Sequence, residues 1–423
     1  KINAVVFKAR HAQYPNRIKN YRDLHILQSG LSLVPRQCAG GDIMDTSIEQ
    51  IKDRTWDNIV IGTGIGGAVL GHALSKSGQR VLFCEKGQPH ISTGRFPEES
   101  ISKLTDASEI KALFKESGRS TDPLHDKSQV TSKKLFPLLG SGPGGSSALY
   151  GMAFERFFPC DFTPGCYKEV SSHSTAPDRW PIAYDDLVPY YEKAESLFKV
   201  RGTADPIKPA DRLQYREPRA PHPINRQLMD DLEKKGLRPY LLPKAYDDVP
   251  GCETCQGVLC AKNCKNDAFR ICLQPAISEF NAVLLLNSEV IKLEAKETEV
   301  TRAIVRIRGD TFTLKAKRFI LGAGAIHSPQ LLLNSKSTIW PQGLANSSGV
   351  VGKNLMRHLI DIYSLNFPNT EGSTKPLKEI AFNDFYYRNG VKLGTVQSFG
   401  AFPPAQAIVQ DLARKLELNS HAL

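Results

Sequence analysis

Three groups of residues in this 423-residue chain have types and spacings that could do chemistry. The first is Gly62, Gly64 and Gly67 in GTGIGG, a GxGxxG spacing, with Glu85 23 positions beyond Gly62. The first glycine permits a tight turn, the second lets the backbone approach a pyrophosphate, and the third brings helix close to strand. The helix amino terminus then offers unpaired N–H groups to the anion. An acid at the spacing of Glu85 accepts from ribose hydroxyls and repels a 2′-phosphate, which selects an adenine dinucleotide other than NADP. FAD and NAD share this half-site, so the fingerprint alone does not choose between them.

The second group is GSGPGGSSALYGM, residues 140–152, crowded with glycine and serine. A loop this bare lets main-chain N–H groups reach a flat polar ring at close range, as the carbonyls and N5 of a flavin require. A mobile linker would not run on into the apolar, aromatic ALYGMAFERFF. The third group is CETCQGVLCAKNC, where Cys252, Cys255, Cys260 and Cys264 are spaced x2, x4, x3. Short spacings on a loop let thiolates converge with little loss of loop entropy. Iron–sulfur ligation, structural zinc and disulfides all suit that pattern.

The elements that must hold these groups are legible around them. From Asp57 the sequence reads as an apolar strand (59–61), the glycine turn, a helix with Val69, Leu70, Ala73 and Leu74 inward, and a strand at 81–84. That order is a βαβ unit. In RWPIAYDDLVPYYEKAESLF, residues 179–198, Pro181 and Asp185 or Asp186 are expected to precede a helix burying Leu187, Tyr190, Tyr191, Ala194 and Leu197. KRFILGAG, ending at Gly324, is apolar enough for a buried parallel strand. The composition, 41% hydrophobic and 23% charged, excludes disordered and fibrous classes. The net charge of +11 is scattered rather than gathered into a stripe, which argues against nucleic acid and suits an acidic partner protein. No apolar stretch approaches the roughly 20 residues of a membrane-spanning helix.

GSGPGGSSALYGMAFERF and GAGAIHSPQLLLNS resemble the two signature motifs of the glucose-methanol-choline (GMC) flavoprotein oxidoreductases. RWPIAYDDLVPYYEKAE and GLANSSGVVGKNLMRH resemble further stretches of that family, and the likeness runs from about residue 56 to 360. The resemblance implies an α/β chain in which a Rossmann-like FAD-binding domain of the GMC type (51–200 and 275–335) is interleaved with an α+β substrate domain. The latter, built on an antiparallel sheet, would hold residues 201–274 and 336–423, including the cysteine cluster, with residues 1–50 as an extension. It implies FAD as cofactor and oxidation of a CH–OH group of a small alcohol or sugar by hydride transfer to flavin N5.

Carried onto this chain, Gly62, Gly64, Gly67 and Glu85 would hold the pyrophosphate and adenosine ribose. Ser141, Gly142, Gly144, Gly145 and Ser147, with Tyr150, Gly151, Met152 and Ala153, would lie along the flavin. Val290 would contact adenine through its backbone, and Gly322, Ala323 and Gly324 would approach the diphosphate and ribityl. No histidine falls between 136 and 160, so the flavin is expected to be dissociable. The chain also resembles the iron–sulfur-containing sugar and alcohol dehydrogenase branch, which carries a [3Fe–4S] cluster near the same place. Cys255, Cys260 and Cys264 match that branch's x4, x3 tail, and Cys252 is displaced. Such a cluster implies electrons leaving for a non-oxygen acceptor, an acidic cytochrome or a quinone-linked protein.

Alcohol oxidation needs a base for the hydroxyl proton. The family's His/Asn pair near the carboxyl end has no match here; His421 reads as a surface residue, His327 as a helix-start packing residue and His358 as a pocket candidate. The catalytic residues are therefore unassigned, and the chain is expected to continue beyond residue 423. An electron-transfer or scaffold subunit without substrate turnover is the alternative, supported only by that missing pair. An NAD-dependent dehydrogenase would leave the second glycine loop and GAGAIHSPQ unexplained.

Overall fold

The computed structural model describes residues 48–88, 107–126, 133–135, 139–166, 177–209, 212–252, 255–353 and, with gaps, 355–399. They fall into two compact units.

One unit comprises the described residues of 48–149 and 267–355. Its centre is a six-stranded mixed sheet. In chain order its elements are β1 (Thr55–Ile61), α1 (Ile65–Lys76), β2 (Val81–Cys84), β3 (Val283–Leu285), β4 (Glu289–Ala295), β5 (Val300–Ile307), β6 (Asp310–Leu321) and α2 (Gly324–Asn334). The strand order is β3-β2-β1-β6-β5-β4. The first four strands run parallel, and β5 and β4 continue antiparallel. Strands β1 and β2 are apolar runs buried on both faces: Ile59, Val60, Leu82 and Phe83 each have 0% exposure. Full burial of one such side chain stabilises by about 1.5–3 kcal/mol. Pairing Ile61 with Leu321 sets the carboxyl ends of β1 and β6 side by side, so the glycine loops that follow them emerge together.

Helix α1 departs from the expected face. Its buried residues are Gly67, Ala68, Gly71 and Ser75, whereas Leu70 is exposed. The reason is separation: a Cβ on Gly71 would lie 2.3 Å from the Phe83 ring, and one on Gly67 2.2 Å from the Gly62 carbonyl oxygen. A helix pressed this close to the sheet admits only small residues inward, and apolar bulk is displaced to its flanks.

The other unit comprises the described residues of 150–266 and 356–407. It holds the helices Tyr184–Leu197 and Pro223–Lys234. A three-stranded antiparallel sheet joins Val396–Gln397, Ile380–Phe382 and Tyr240–Leu241. Helix 184–197 also departs from expectation: it buries Tyr184 and Glu195 and leaves Tyr190 64% exposed. A charged group turns inward because Arg156 meets it, donating Nε to Oε1 at 2.6 Å and Nη2 to Oε2 at 2.7 Å. Gln214 N donates to the same carboxylate at 3.0 Å. No helix among the described residues is long and apolar enough to cross a membrane.

Candidate functional site: two glycine loops and a cysteine cluster

At the carboxyl ends of β1 and β6 three glycines interlock. Gly62 turns with φ +93°, and a Cβ there would lie 2.7 Å from the Gly322 carbonyl oxygen. A Cβ on Gly322 would lie 2.8 Å from Gly67 Cα. Gly322 N donates to Ile61 O and Gly62 N to Cys84 O, both at 2.8 Å. These glycines are consumed by the protein's own packing. Gly64 and Gly324 are different, because a Cβ on either meets nothing within 4 Å. Each stands at a helix start, where N–H groups lack intrahelical partners.

The second glycine loop lies against the first. A Cβ on Gly145 would sit 3.1 Å from Gly64 Cα, and one on Gly87 only 2.0 Å from Gly142 N. Gly142, Gly144 and Gly145 all have positive φ, at 100°, 86° and 53°. Ser141 N donates to Gly118 O at 2.8 Å. Ser147 is buried, its hydroxyl donating to Gly144 O at 2.6 Å and accepting from Ala268 N at 2.9 Å. The carboxylate of Glu85, itself buried, ties the loops together. Its Oε2 accepts from Thr63 N at 3.1 Å and Thr63 Oγ1 at 2.6 Å, and its Oε1 from Gly87 N at 2.8 Å and Gly142 N at 3.2 Å. These four bonds engage about all of a carboxylate's acceptor directions. The partner Thr63 went unread in the sequence, although it sits inside GTGIGG.

Val290 lies at the start of β4, its side chain in the apolar core and its register partner Val305. His327 is no simple packing residue: its Nε2 is 2.8 Å from Lys86 Nζ and 3.7 Å from Asp122 Oδ2. The His327 ring beside it and the Lys86 ammonium bonded to it hold the Asp122 carboxyl well below its ordinary range. This trio had no sequence signal, since its members are far apart in the chain. His358 and His421 lie outside the described residues.

Residues 150–153 sit in the other unit, beside the cysteines. Tyr150 donates to Asn266 O at 2.7 Å, and Gly151 faces Gln256. Met152, at φ +62° and 1% exposed, packs with Tyr246, Cys252 and Cys264. Ala153 forms a β-bridge with Lys244. The four cysteines converge: Cys264 Sγ lies 3.2 Å from Cys252 Sγ and 3.4 Å from Cys260 Sγ, and the Cys255 thiol hydrogen-bonds Cys260. Bonds from Cys255 and Cys264, together with the amides of Cys264 and Lys265, hold Cys260 well below the ordinary thiol range. Elsewhere burial pushes Cys84 and Cys272 up to about 12, as befits structural thiols. A tetrahedral thiolate site has sulfur–sulfur edges of about 3.8 Å, from metal–sulfur bonds of about 2.3 Å. Here the sulfurs touch one another, and among the described residues no three Cys, His, Asp or Glu side chains stand spaced around an ion. The side chains are those of a thiolate site, but at this spacing the sulfurs leave no room for an ion among them.

Two converging loops on a parallel βαβ sheet, with GAGAIHSPQ following the neighbouring strand into α2, agree with a match of residues 56–360 to the family model described as GMC oxidoreductase. The chain belongs to the GMC oxidoreductase family. It is 30% identical over 358 residues to 6'''-hydroxyparomomycin C oxidase of Streptomyces lividus, covering 79% of this chain and 61% of that one. It is 27% identical over 344 residues to the fructose dehydrogenase large subunit of Gluconobacter japonicus, covering 71% and 58%. Among solved structures, pyridoxine 4-oxidase from Mesorbium loti is similar at 20% identity and TM-score 0.43, covering 66% of this chain and 52% of that one. The matched region thus spans about three fifths of these curated relatives.

Proposed function

We propose that this chain binds FAD and belongs to a dehydrogenase that oxidises a CH–OH group of an alcohol or sugar. The observation that carries the reading is the division of labour among the glycines. Gly62, Gly67 and Gly322 are spent on packing, while Gly64 and Gly324 leave bare backbone facing open space beside the second loop. In this reading the N–H groups at the starts of α1 and α2 bind the pyrophosphate, and the loop 141–147 lies along the flavin. Glu85 already holds both loops, and a ribose hydroxyl would share its Oε1 with the longest of its four bonds, that from Gly142. Val290 would contact adenine through its backbone, and Tyr150, Gly151, Met152 and Ala153 would continue the flavin contact. Bound flavin supplies a hydride acceptor at N5. The similarity to relatives named as an oxidase and a dehydrogenase of sugar-like alcohols supports the substrate class.

The same proposal assigns Cys252, Cys255, Cys260 and Cys264 to an iron–sulfur cluster, read as [3Fe–4S]. A cluster there would supply a one-electron relay toward a non-oxygen acceptor such as a cytochrome or quinone-linked protein. The convergence of the four thiols and the amide hydrogen bond of 3.3 Å from Cys264 N to Cys260 Sγ support it. The test is native purification of the natural full-length protein followed by release of flavin with acid. About one FAD per chain and anaerobic bleaching by an alcohol or sugar are expected. A colourless protein with no releasable flavin refutes the reading.

A further inference from the structure

At the spacing seen in the cysteine loop no ion fits among the sulfurs, and what their contact does allow is a bond between them. Cys264 Sγ is 3.2 Å from Cys252 Sγ and 3.4 Å from Cys260 Sγ, and Cys264 N donates to Cys260 Sγ at 3.3 Å. Cys252 and Cys264 are buried, at 4% and 2% exposure, whereas Cys255 and Cys260 are partly exposed. Backbone contacts fix both buried cysteines. Cys252 N donates to Val249 O at 3.0 Å, Asp247 N donates to Cys264 O at 2.8 Å, and Tyr246 forms a β-bridge with Lys265. A disulfide bond is about 2.05 Å long, so the Cys252 and Cys264 sulfurs are roughly 1 Å short of bonding, a distance that side-chain rotation covers.

We propose that in the chain without a cluster Cys252 and Cys264 close a disulfide, with Cys260 as the entry thiol and a low-molecular-weight disulfide as the oxidant. The partly exposed Cys260 attacks the external disulfide, forming a mixed disulfide and releasing one small thiol. Cys264, in contact with Cys260, attacks the Cys260 sulfur and releases the second. Cys252 then attacks Cys264 and returns Cys260 to the thiol. In sum two cysteine thiols are oxidised, and one external disulfide is reduced to two thiols that carry the protons away. The exchange comes to rest at Cys252–Cys264 because that bond closes a longer loop than Cys260–Cys264 and removes more entropy from the unfolded chain. Burial of both sulfurs also shields it from returning thiols. The closed form bars any thiolate-bound group, since two of the four sulfurs are spent. The inference is independent of the flavin reading.

The experiment uses the natural full-length protein, treated with chelator and reductant and then held anaerobically with glutathione disulfide. Free thiols are counted, alkylated and mapped after tryptic digestion, in which cleavage at Lys262 and Lys265 puts Cys264 on its own peptide. Loss of one thiol pair per chain is expected, with the Cys264 peptide joined to Cys252. The urea midpoint should rise by about 1 M and fall back on reduction with dithiothreitol. Cys264→Ser should stop at a glutathione adduct on Cys260, and Cys252→Ser at a Cys260–Cys264 bond. A wild-type chain that keeps all four thiols, that stops at the glutathione adduct, or that joins Cys264 to Cys255 or Cys260 at the end point overturns the inference. Iron content of the protein as isolated, measured alongside, reports on the cluster reading alone.

Discussion

Replacing Glu85 by glutamine keeps the shape of the side chain and changes only what its two end atoms can accept. In one orientation the amide nitrogen faces Gly87 N and Gly142 N, two backbone donors that cannot reverse. In the other it faces Thr63 N, which cannot reverse, and the Thr63 hydroxyl, which can turn and accept. The second orientation is therefore favoured and leaves two buried hydrogens without a partner, the Thr63 N–H and the second amide hydrogen. A buried unsatisfied donor costs about 1–3 kcal/mol, and exchanging a carboxylate for a neutral acceptor weakens the remaining bonds by about another 1 kcal/mol. Glu85→Gln should thus lose about 3 kcal/mol or more, measured by urea denaturation with tryptophan fluorescence, since Trp56 is buried in β1. Glu49→Gln, at an exposed ion pair, is the control and should stay within about 0.5 kcal/mol. A loss from Glu85→Gln no larger than the control's would refute the clasp and free the carboxylate for the cofactor alone.

Gly64→Ala should leave the denaturation midpoint within about 0.5 kcal/mol of wild type, because its φ of −63° suits alanine and its Cβ meets nothing, while released flavin per chain falls. Gly67→Ala should instead cost about 3 kcal/mol or more, since its Cβ would press on backbone at 2.2 Å. Glu195→Ala strands the buried Arg156 guanidinium and should cost about 3–5 kcal/mol by the same denaturation assay, with part recovered in the double variant Arg156→Met/Glu195→Leu. Because the folded-state pKa of Asp122 is depressed, its contribution to stability is present above its ordinary value of 3.8 and is lost as pH falls below it. The stability gap between wild type and Asp122→Asn should therefore be clear at pH 6 and narrower at pH 3.

Much of the architecture was already written in local pattern. The apolar run at 59–61, the GxGxxG turn and the strand at 81–84 specify a βαβ unit because strand, turn and helix each follow from a short stretch of neighbours. The bareness of residues 140–147 likewise announced a close approach of backbone to something. The inward face of α1 was misread for a tertiary reason. Periodicity locates apolar residues, but the separation between helix and sheet decides whether bulk or glycine fits between them. Helix 184–197 was misread similarly, since the partner that turns Glu195 inward is Arg156, 39 positions away.

The sequence by itself determined the family, the dinucleotide fingerprint and the presence of four closely spaced thiols, since each is carried by contiguous residues. Only the tertiary structure decided which glycines are spent on packing and which stay open, that one carboxylate holds both loops, and that Arg156 turns Glu195 inward. Those facts depend on pairs of residues distant in the chain whose approach is set by strand register and burial. No local spacing records such an approach.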